Sequence, residues 1–461
     1  MDCGLCVVRH VRVMHNATAL ASVVGVSEQP LGDAASSGHH PERSRLAWAA
    51  IAIAVVAIGT ILLALLAAPS QTLDVAPAPA APANTDITKS PDIPAFYEVN
   101  DTSVKPPGTM VKSELIAGSP EGTKAYRFIY HSRDLNGANT VVSGVFITPT
   151  TPAPEDGFPL VTYAHGTTGS NRHCGISLTP FEPNTPGFQG MNQMLPLVEQ
   201  GYAVVGTDYQ GMGAPGDPSY LVGQIEGQNT LDAVRAVHNW QQNVNKDETV
   251  IWGHSQGGHS AAFAAQIAPD YAPELAIQGA AVLAPGLLPS LPLAVQGLLA
   301  ATEPSGQTGF VMLIAASWSA IFPDQMSPED ILTPAGVAKL PVVNRLCGSQ
   351  QSDAFMDAPM STFVKDPAPS VFYDLATQNT PGATKTRMPI IMVQGMKDTT
   401  IIPQLTLAFN KQMCQIGNTV DFHIYPDDVH SSVVTNSRGL IQEWMQDRID
   451  GQPAPNGCTN Q

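Results

Sequence analysis

The chain has 461 residues, of which 43% are hydrophobic and 13% are charged, and its formal net charge is −17. This composition is sufficient for a large folded core and excludes a mainly disordered protein. The acidic excess lies beyond residue 69, where it would repel phosphate backbones, so we expect no nucleic-acid partner.

The N-terminal region divides into a tail over residues 1–45, an apolar segment over 46–68 and an Ala/Pro-rich linker over 69–94. The apolar segment has 23 positions without a charge, which is long enough for a helix that spans a bilayer. Two arginines precede it and favour an N-terminus on the inner side of the membrane. We expect either a retained membrane anchor or a signal that is cleaved within the small-residue run at 76–83. Both alternatives place the following domain outside the cytosol, secreted or at the cell surface.

Globular patterning begins at about residue 95, where short apolar runs alternate with amphipathic stretches. Most of the runs lack strict alternation, which is typical of strands buried on both faces of a parallel sheet. The last run does alternate, as expected of a strand nearer the sheet edge. Helical stripes occur within residues 226–244 and 431–449. The pattern predicts an α/β fold with a mostly parallel sheet flanked by helices. The predicted strands are 124–132, 139–149, 158–166, 201–211, 248–253, 277–285, 389–395 and 419–426.

Residues 286–388 do not follow this rhythm, and we expect them to form a mainly helical cap or lid inserted into a core of residues 95–285 and 389–461. An insertion of this size usually has a function, such as covering a site. Six apolar side chains of this segment either line an acyl channel or pack in the core of the cap itself. They are Phe310, Met312, Leu313, Trp318, Ile321 and Phe322.

The sequence WGHSQGG at 252–258 contains a G-x-S-x-G motif with Ser255 at its centre. The apolar run before it and the helix-forming run after it predict a sharp strand-to-helix turn that lifts the serine hydroxyl above the sheet. Gly253 and Gly257 would let neighbouring backbone pass close to this turn. The motif therefore predicts a nucleophile, whereas an isolated serine at such a turn is usually a cap.

A serine nucleophile needs a histidine base and an acid that orients the base. In a fold with this kind of strand-to-helix serine turn, the three follow in the chain order Ser, Asp or Glu, His. His430 follows the last predicted strand and is the predicted base. Asp398 follows the penultimate strand and is the predicted acid, with Asp427 and Asp428 as rivals that lie too near His430 in sequence. His254 and His259 flank the serine but are expected to point away from it or to lie along the helix, and His423 to be structural.

The oxyanion hole of such a site needs two backbone N–H donors. The amide of Gln256, directly after the nucleophile, is the first. The second is expected from the loop HGTTG at 165–169, with Thr167 preferred and Gly169 as the rival.

Four cysteines lie in the expected exported part, and an even number there predicts two disulfides. Cys414 and Cys458 are the closer pair in sequence, which would leave Cys174 with Cys347. Four cysteines nevertheless allow three connectivities.

The motifs HGTTG, DYQGMG, GHSQGG, GMKDTTIIP and DDVHS together resemble the α/β-hydrolase superfamily. More narrowly they resemble the secretory-lipase family, the lipase-A-like enzymes of fungi and actinobacteria, over most of residues 95–450. The resemblance implies Ser255, Asp398 and His430 as the triad and a largely helical cap in about 286–388.

The same resemblance implies disulfides between Cys174 and Cys347 and between Cys414 and Cys458, and a structural role for Asp208. Some family members have an acidic residue in the oxyanion loop, where this chain has HGTTGS.

These features predict a secreted or surface-anchored serine ester hydrolase, a lipase or carboxylesterase, that acts on a small-molecule or lipid ester through an acyl-enzyme. An acyltransferase or a peptidase on the same fold is an alternative, as is a non-catalytic cell-surface binding domain. The proposed chemistry needs no cofactor and no metal. The membrane would be a partner only through an uncleaved apolar segment at 46–68.

Overall fold

The computed structural model describes residues 91–288, 291–366 and 369–460. The predicted tail, the apolar segment at 46–68 and most of the linker lie outside the described residues. Among the helices that are described, none is long and apolar enough to cross a membrane.

The sheet of the described chain has nine strands in the order β1-β2-β3-β5-β4-β6-β7-β8-β9. The first three strands pair antiparallel, as do β3 and β5, and every pairing from β5 across to β9 is parallel. The predicted mostly parallel α/β sheet is confirmed. The strands are β1 (Met110–Leu115), β2 (Thr123–Arg133), β3 (Asn139–Pro149), β4 (Phe158–Ala164), β5 (Ala203–Thr207), β6 (Val244–His254), β7 (Ile277–Leu283), β8 (Ile390–Gly395) and β9 (Val420–Tyr425).

Helices cover both faces of the sheet, and this explains the uninterrupted apolar runs. In β8, Ile390 and Met392 pack in one apolar cluster, while Ile391 and Val393 pack in another on the opposite face. The core helices are α1 (Pro186–Met191), α2 (Leu195–Glu199), α3 (Gly223–Trp240), α4 (Gln256–Tyr271), α10 (Pro403–Gln415), α11 (Ser432–Asn436) and α12 (Arg438–Ile449).

Two predicted helices differ in extent from the observed ones. The stripe predicted over 226–244 ends as a helix at Trp240, and Val244 instead begins β6, although both side chains pack in the same apolar cluster. The stripe predicted over 431–449 is two helices separated at Ser437. The first prediction failed because a side chain can reach the same apolar cluster from a strand or from a helix.

The region predicted as a cap, residues 286–388, contains five helices within its described part. It has its own apolar cluster, which includes Trp318, Phe355 and Phe363, and it meets the core through a segment that contains Tyr220 and Ile225. The cap helices are α5 (Leu291–Leu299), α6 (Gln307–Ile321), α7 (Pro334–Val343), α8 (Ser349–Asp353) and α9 (Pro369–Gln378).

The described chain contains two disulfides, Cys174–Cys347 and Cys414–Cys458. The predicted pairing is therefore confirmed. The first joins the loop after β4 to the cap, and the second joins α10 to the C-terminal segment.

Candidate active site

Ser255 lies at the turn between β6 and α4, with backbone angles φ 61° and ψ −121°. A non-glycine residue rarely adopts positive φ, so this turn is strained. The flanking glycines permit it: a Cβ on Gly253 would lie 2.0 Å from the carbonyl oxygen of Gly257, and one on Gly257 would lie 1.9 Å from that of Ala164. The glycine spacing of the motif is thus a steric requirement of the turn.

The side chains of Ser255, His430 and Asp398 form one chain of hydrogen bonds. The serine hydroxyl lies 2.9 Å from Nε2 of His430, and Nδ1 of His430 lies 2.7 Å from Oδ2 of Asp398. Because a carboxylate only accepts hydrogen bonds, Nδ1 carries the proton and Nε2 accepts from the serine. Asp398 and His430 follow the adjacent parallel strands β8 and β9, which end at the same edge of the sheet. The structure therefore brings the three predicted triad residues together.

Asp398 is 3% exposed, and burial by itself would raise the pKa of its carboxyl. The hydrogen bond and charge of His430 act in the opposite direction. So do the backbone amides of Thr400 and Ile401, which donate to Oδ1 at 2.8 and 2.9 Å. Together they hold the pKa of Asp398 below its usual value. At neutral pH this carboxylate is ionised, so it can orient the imidazole and stabilise its protonated form.

The rival acids are engaged elsewhere. Asp427 is exposed and pairs with Lys397 at 2.8 Å, and Asp428 accepts from Ser432 at 2.7 Å and from Asn436 at 2.6 Å. Both rival carboxylates therefore have partners other than the imidazole of His430, whereas Asp398 contacts it directly.

The two other histidines set aside from the sequence also have partners of their own. On the edge strand β9, Nε2 of His423 lies 2.9 Å from Oδ1 of Asp421. His259 lies on α4 and donates from Nε2 to the carbonyl of Asn379 at 2.7 Å.

Two backbone segments border the position of an oxyanion beside Ser255. Gln256 begins α4, so its N–H has no acceptor within the helix and lies at the positive end of the helix dipole. The HGTTG loop approaches from the other side, where a Cβ on Gly166 would lie 3.8 Å from Cβ of Ser255. This arrangement fits an oxyanion hole built from Gln256 and that loop.

The two candidates for the second oxyanion donor differ in their surroundings. Thr167 lines the site, and its hydroxyl contacts that of Tyr220 at 2.9 Å. Gly169 has φ +135°, and a Cβ on it would lie 2.3 Å from Sγ of Cys174. The conformation of Gly169 is therefore explained by its packing on the disulfide, and Thr167 remains our choice for the second donor.

His254 is a site residue whose place differs from the prediction. Its ring does not point away from the triad: it packs on the ring of His430, with centroids 4.4 Å apart, and Nε2 donates to the carbonyl of His430 at 2.9 Å. Burial, followed by the neighbouring His430, lowers the pKa of His254 to about 3. His254 is thus a neutral ring that contacts the loop carrying His430 and holds it in place. The position of His254 directly before Ser255 was the feature of the sequence that could have predicted its place in the site.

A buried carboxylate beneath the nucleophile, Glu226 on α3, was not predicted. It is fully buried, and its Oε1 accepts from the side chain of Gln256 at 2.6 Å and from the amide of Leu221 at 2.9 Å. Its Oε2 accepts from the hydroxyl of Ser260 at 2.5 Å and faces Nδ1 of His259 at 3.4 Å. Glu226 thereby fixes the first turn of α4, which carries the amide of Gln256.

Asp208 is buried in a second polar cluster away from the triad. Its oxygens accept from the hydroxyls of Ser143 and Ser177 and from the Ser177 amide. Burial raises the pKa of Asp208 to about 6, although these hydrogen bonds act in the opposite direction. The contacts fit the structural role that the resemblance implied.

Two cavities meet at Ser255. The wide cavity has a volume of about 460 Å³ and the narrow cavity about 120 Å³. Of the six apolar cap residues singled out in the sequence, Phe310 lines both cavities, whereas Met312, Leu313 and Trp318 are buried in the core of the cap. In the described ranges, no group of three His, Cys, Asp or Glu side chains is arranged to hold a metal ion.

The strained turn at Ser255, the hydrogen-bonded series of Ser255, His430 and Asp398, and the mostly parallel sheet together have the arrangement of the α/β-hydrolase fold. The sequence model of the secretory lipase family matches residues 188–296. The chain has the α/β-hydrolase fold and resembles the secretory lipases, and both predictions are confirmed.

The relatives are lipases. Lipase A of Arthroderma benhamiae is 27% identical over 57% of this chain and 56% of its own length. The chain thus spans little more than half of that relative. A probable inactive lipase of Mycobacterium tuberculosis is 24% identical over 75% of this chain and 79% of its own length. Among solved structures, Candida antarctica lipase A in its closed state has a TM-score of 0.65 and 19% identity, covering 77% of this chain and 85% of that chain.

Proposed function

We propose that this protein is an exported serine ester hydrolase, a lipase or carboxylesterase that cleaves acyl esters. The observation that carries the proposal is the continuous series of hydrogen bonds from Asp398 through His430 to the hydroxyl of Ser255, at the junction of two cavities. The match to secretory lipases supports a lipid or other acyl ester as the substrate and supports secretion.

In the proposed reaction, Oγ of Ser255 attacks the ester carbonyl carbon while Nε2 of His430 takes the hydroxyl proton. Asp398 stabilises the imidazolium, and the backbone amides of Gln256 and Thr167 hold the oxyanion. The ester C–O bond then breaks, and His430 gives its proton to the leaving alcohol oxygen. His430 then takes a proton from water, and the hydroxide attacks the acyl carbonyl carbon. The bond from that carbon to Oγ of Ser255 breaks, His430 returns the proton to Oγ, and the carboxylic acid leaves.

A fluorophosphonate probe tests the nucleophile directly. We expect the wild-type chain to be labelled and Ser255→Ala to be unlabelled, with Ser113→Ala, at an exposed position of β1, as the matched control that keeps labelling. Failure to label the wild type, or equal labelling of Ser255→Ala, would reject the enzyme. That result would favour a non-catalytic binding domain, a reading to which the probable inactive relative gives weight.

Substrate comparison separates hydrolysis from the remaining alternatives. Nitrophenyl esters and emulsified triglyceride are expected to be turned over, and peptides are not. If an added alcohol captured the acyl group in preference to water, acyl transfer would replace hydrolysis as the proposed reaction.

We further propose that the apolar segment at 46–68 either anchors the protein or serves as its export signal. Fractionation of cells that express a C-terminally tagged full chain separates the two. Full-length protein in the membrane fraction would support an anchor, and a soluble fragment beginning near residues 76–83 would support a cleaved signal.

A further inference from the structure

The hydroxyls of Thr167 and Tyr220 form a hydrogen-bonded pair in the wall of the narrow cavity. Their oxygen atoms lie 2.9 Å apart, and both residues line that cavity together with Ser255 and Gln256. Among the described residues, neither hydroxyl has another hydrogen-bond partner. The pair therefore lies on the side of Ser255 where the amide of Gln256 is expected to hold the oxyanion.

The surroundings of the two hydroxyls indicate which one donates. Tyr220 is 5% exposed, and a buried hydroxyl proton without an acceptor costs free energy. Burial also raises the pKa of Tyr220 above its ordinary value, so the phenol keeps its proton at neutral pH. Donation from Tyr220 to Oγ1 of Thr167 satisfies this proton. Because a threonine hydroxyl both accepts and donates, the proton of Thr167 is then available to a third group.

The oxyanion beside Ser255 lies within reach of this proton. Thr167 lines both cavities where they meet at Ser255. The preceding residue, Gly166, brings the loop close to the nucleophile, since a Cβ on it would lie 3.8 Å from Cβ of Ser255. Only Cα and Cβ separate the amide nitrogen of a threonine from its Oγ1, so the two groups can donate to one acceptor. Side-chain hydroxyls are known as oxyanion donors alongside backbone amides.

The segment that carries Tyr220 is fixed independently of Thr167. The next residue, Leu221, has φ 54°, which a non-glycine residue rarely adopts. Its amide donates to Oε1 of the buried Glu226 at 2.9 Å. The amide of Val222 donates to the carbonyl of Ser219 at 2.9 Å. This anchored turn holds the phenol in place before any substrate binds.

We propose that the hydroxyl of Thr167 is a third donor to the oxyanion and that Tyr220 is the residue that positions it. This inference rests on the proposed ester hydrolysis at Ser255. As negative charge develops on the ester carbonyl oxygen, Oγ1 of Thr167 donates to that oxygen while it accepts from Tyr220. Hydrogen bonds in such a series strengthen one another, so the phenol contributes without contacting the substrate.

Removal of the Thr167 hydroxyl tests the third donor. Thr167→Val keeps the backbone amide and the shape of the side chain. Its kcat for nitrophenyl octanoate should fall by about 100-fold with KM unchanged, because an oxyanion donor acts in the transition state. Thr167→Ser keeps the hydroxyl and should stay within about threefold of wild type. Thr148→Val is the matched control with wild-type kcat, since that hydroxyl on β3 lies outside both cavities and has no partner in the described chain.

An octyl trifluoromethyl ketone reports on the oxyanion itself. Oγ of Ser255 adds to the ketone carbon, and the carbonyl oxygen of the resulting tetrahedral adduct takes the position of the oxyanion. The Ki of this inhibitor should rise in Thr167→Val by about the factor by which kcat falls. An unchanged Ki would overturn the third donor.

Tyr220→Phe separates a donor from a residue that only holds the loop. Thr167→Val and Tyr220→Phe both remove the hydrogen bond between the two hydroxyls, so a bond that only held the loop would give equal losses of kcat. We expect Tyr220→Phe to lower kcat by about tenfold, because Thr167 keeps its proton. Added to Thr167→Val, it should cause no further loss. Tyr126→Phe, which changes a ring that packs on Trp240 outside both cavities, should keep wild-type kcat.

The outcomes separate this inference from the proposed function. Equal losses in Thr167→Val and Tyr220→Phe, or wild-type kcat in Thr167→Val, would overturn the third donor and leave ester hydrolysis intact. Thermal unfolding shows whether each variant folds, and Thr167→Ala, which also lacks the hydroxyl, replaces Thr167→Val if the valine does not fit. A wild-type chain that neither hydrolyses the ester nor reacts with the fluorophosphonate would reject the proposed function, and this inference with it.

Discussion

The reacting groups and the cap are held in place by different kinds of contact. Around Ser255, directional hydrogen bonds of 2.5–2.9 Å fix His430, Asp398 and Glu226. In the cap, the helices are held in place by the close packing of a cluster of buried apolar side chains. A hydrogen bond is lost when one of its two atoms is replaced, whereas the loss of stability in an apolar cluster grows with the side-chain volume that is removed. Changes around Ser255 should therefore affect rate most, and changes in the cap should affect stability and selectivity most.

The largest expected effect is on the rate of Asp398→Asn. An amide at this position cannot stabilise the imidazolium and favours the wrong tautomer of His430, so kcat should fall by about 10⁴-fold. Nitrophenyl ester hydrolysis measures the change. Asp427→Asn is the matched control, since Asp427 is exposed and pairs with Lys397, and its kcat should stay within twofold of wild type. Equal losses in the two variants would contradict the choice of acid.

A truncation in the cap should show the opposite behaviour. Phe355 is fully buried, and its ring meets that of Phe363 edge to face at 5.2 Å. Phe355→Ala should lower the free energy of unfolding by about 3–5 kcal/mol. At a temperature where the variant is folded, nitrophenyl acetate hydrolysis should fall by less than about tenfold. A loss of rate comparable to that of Asp398→Asn would remove the distinction between the two regions.

The Cys174–Cys347 disulfide is where the two regions are joined covalently. It links residues 173 positions apart, and Thr168 beside it accepts a hydrogen bond from the amide of Gly348 in the cap at 2.9 Å. Replacing both cysteines by serine should lower the free energy of unfolding by about 3–4 kcal/mol and also lower kcat, because the oxyanion loop loses its tether.

The second disulfide gives the matched control. Cys414–Cys458 lies outside both cavities, so replacing both of its cysteines should lower stability and leave kcat near wild type. If both double variants kept wild-type kcat, the tether would have no role in the geometry of the oxyanion loop.

The pH dependence of stability tests the buried carboxylate Asp208. Its pKa is raised from 3.8 to about 6 by burial, so its contribution to stability is present below about pH 4 and is lost as the pH rises through 6. Asn cannot ionise. The unfolding free energy of wild type minus that of Asp208→Asn should therefore fall by about 3 kcal/mol between pH 4 and pH 7.5. Denaturant titrations across this range measure it, and a difference independent of pH would contradict the raised pKa.

The sequence predicted the parts of the site that depend on local spacing. Each residue of the triad follows a strand, and a strand is recognised in the sequence by its apolar run. These residues are Ser255, Asp398 and His430. Glu226 could not be found in this way, because its partners at 256, 259 and 260 lie about thirty positions away and no periodicity relates them. His254 was misplaced because its direction depends on the loop of His430, which is 176 positions away.

The smallest expected effect is the loss of kcat in Glu226→Gln. This variant tests whether hydrogen bonds also matter for residues such as Glu226, which contact the first turn of α4 but not the reacting groups. Glu226 does not line either cavity, so KM and the pH profile should be unchanged. The glutamine keeps one acceptor for the side chain of Gln256, but its amide nitrogen now faces the hydroxyl of Ser260 and Nδ1 of His259. The first turn of α4 then loses its charge-assisted contacts, and the Gln256 amide aims less well at the oxyanion.

We expect kcat of Glu226→Gln to fall by about tenfold, a fraction of the loss from removing an oxyanion donor outright. Glu274→Gln, which changes a more exposed carboxylate paired with Arg235 at 2.6 Å, is the matched control and should keep wild-type kcat. A tenfold loss confined to kcat would show that the hydrogen bonds needed for the reaction include those of Glu226 beneath Ser255. Wild-type kcat with reduced stability would instead make Glu226 a packing residue, and the contrast with the cap would then stop at the triad.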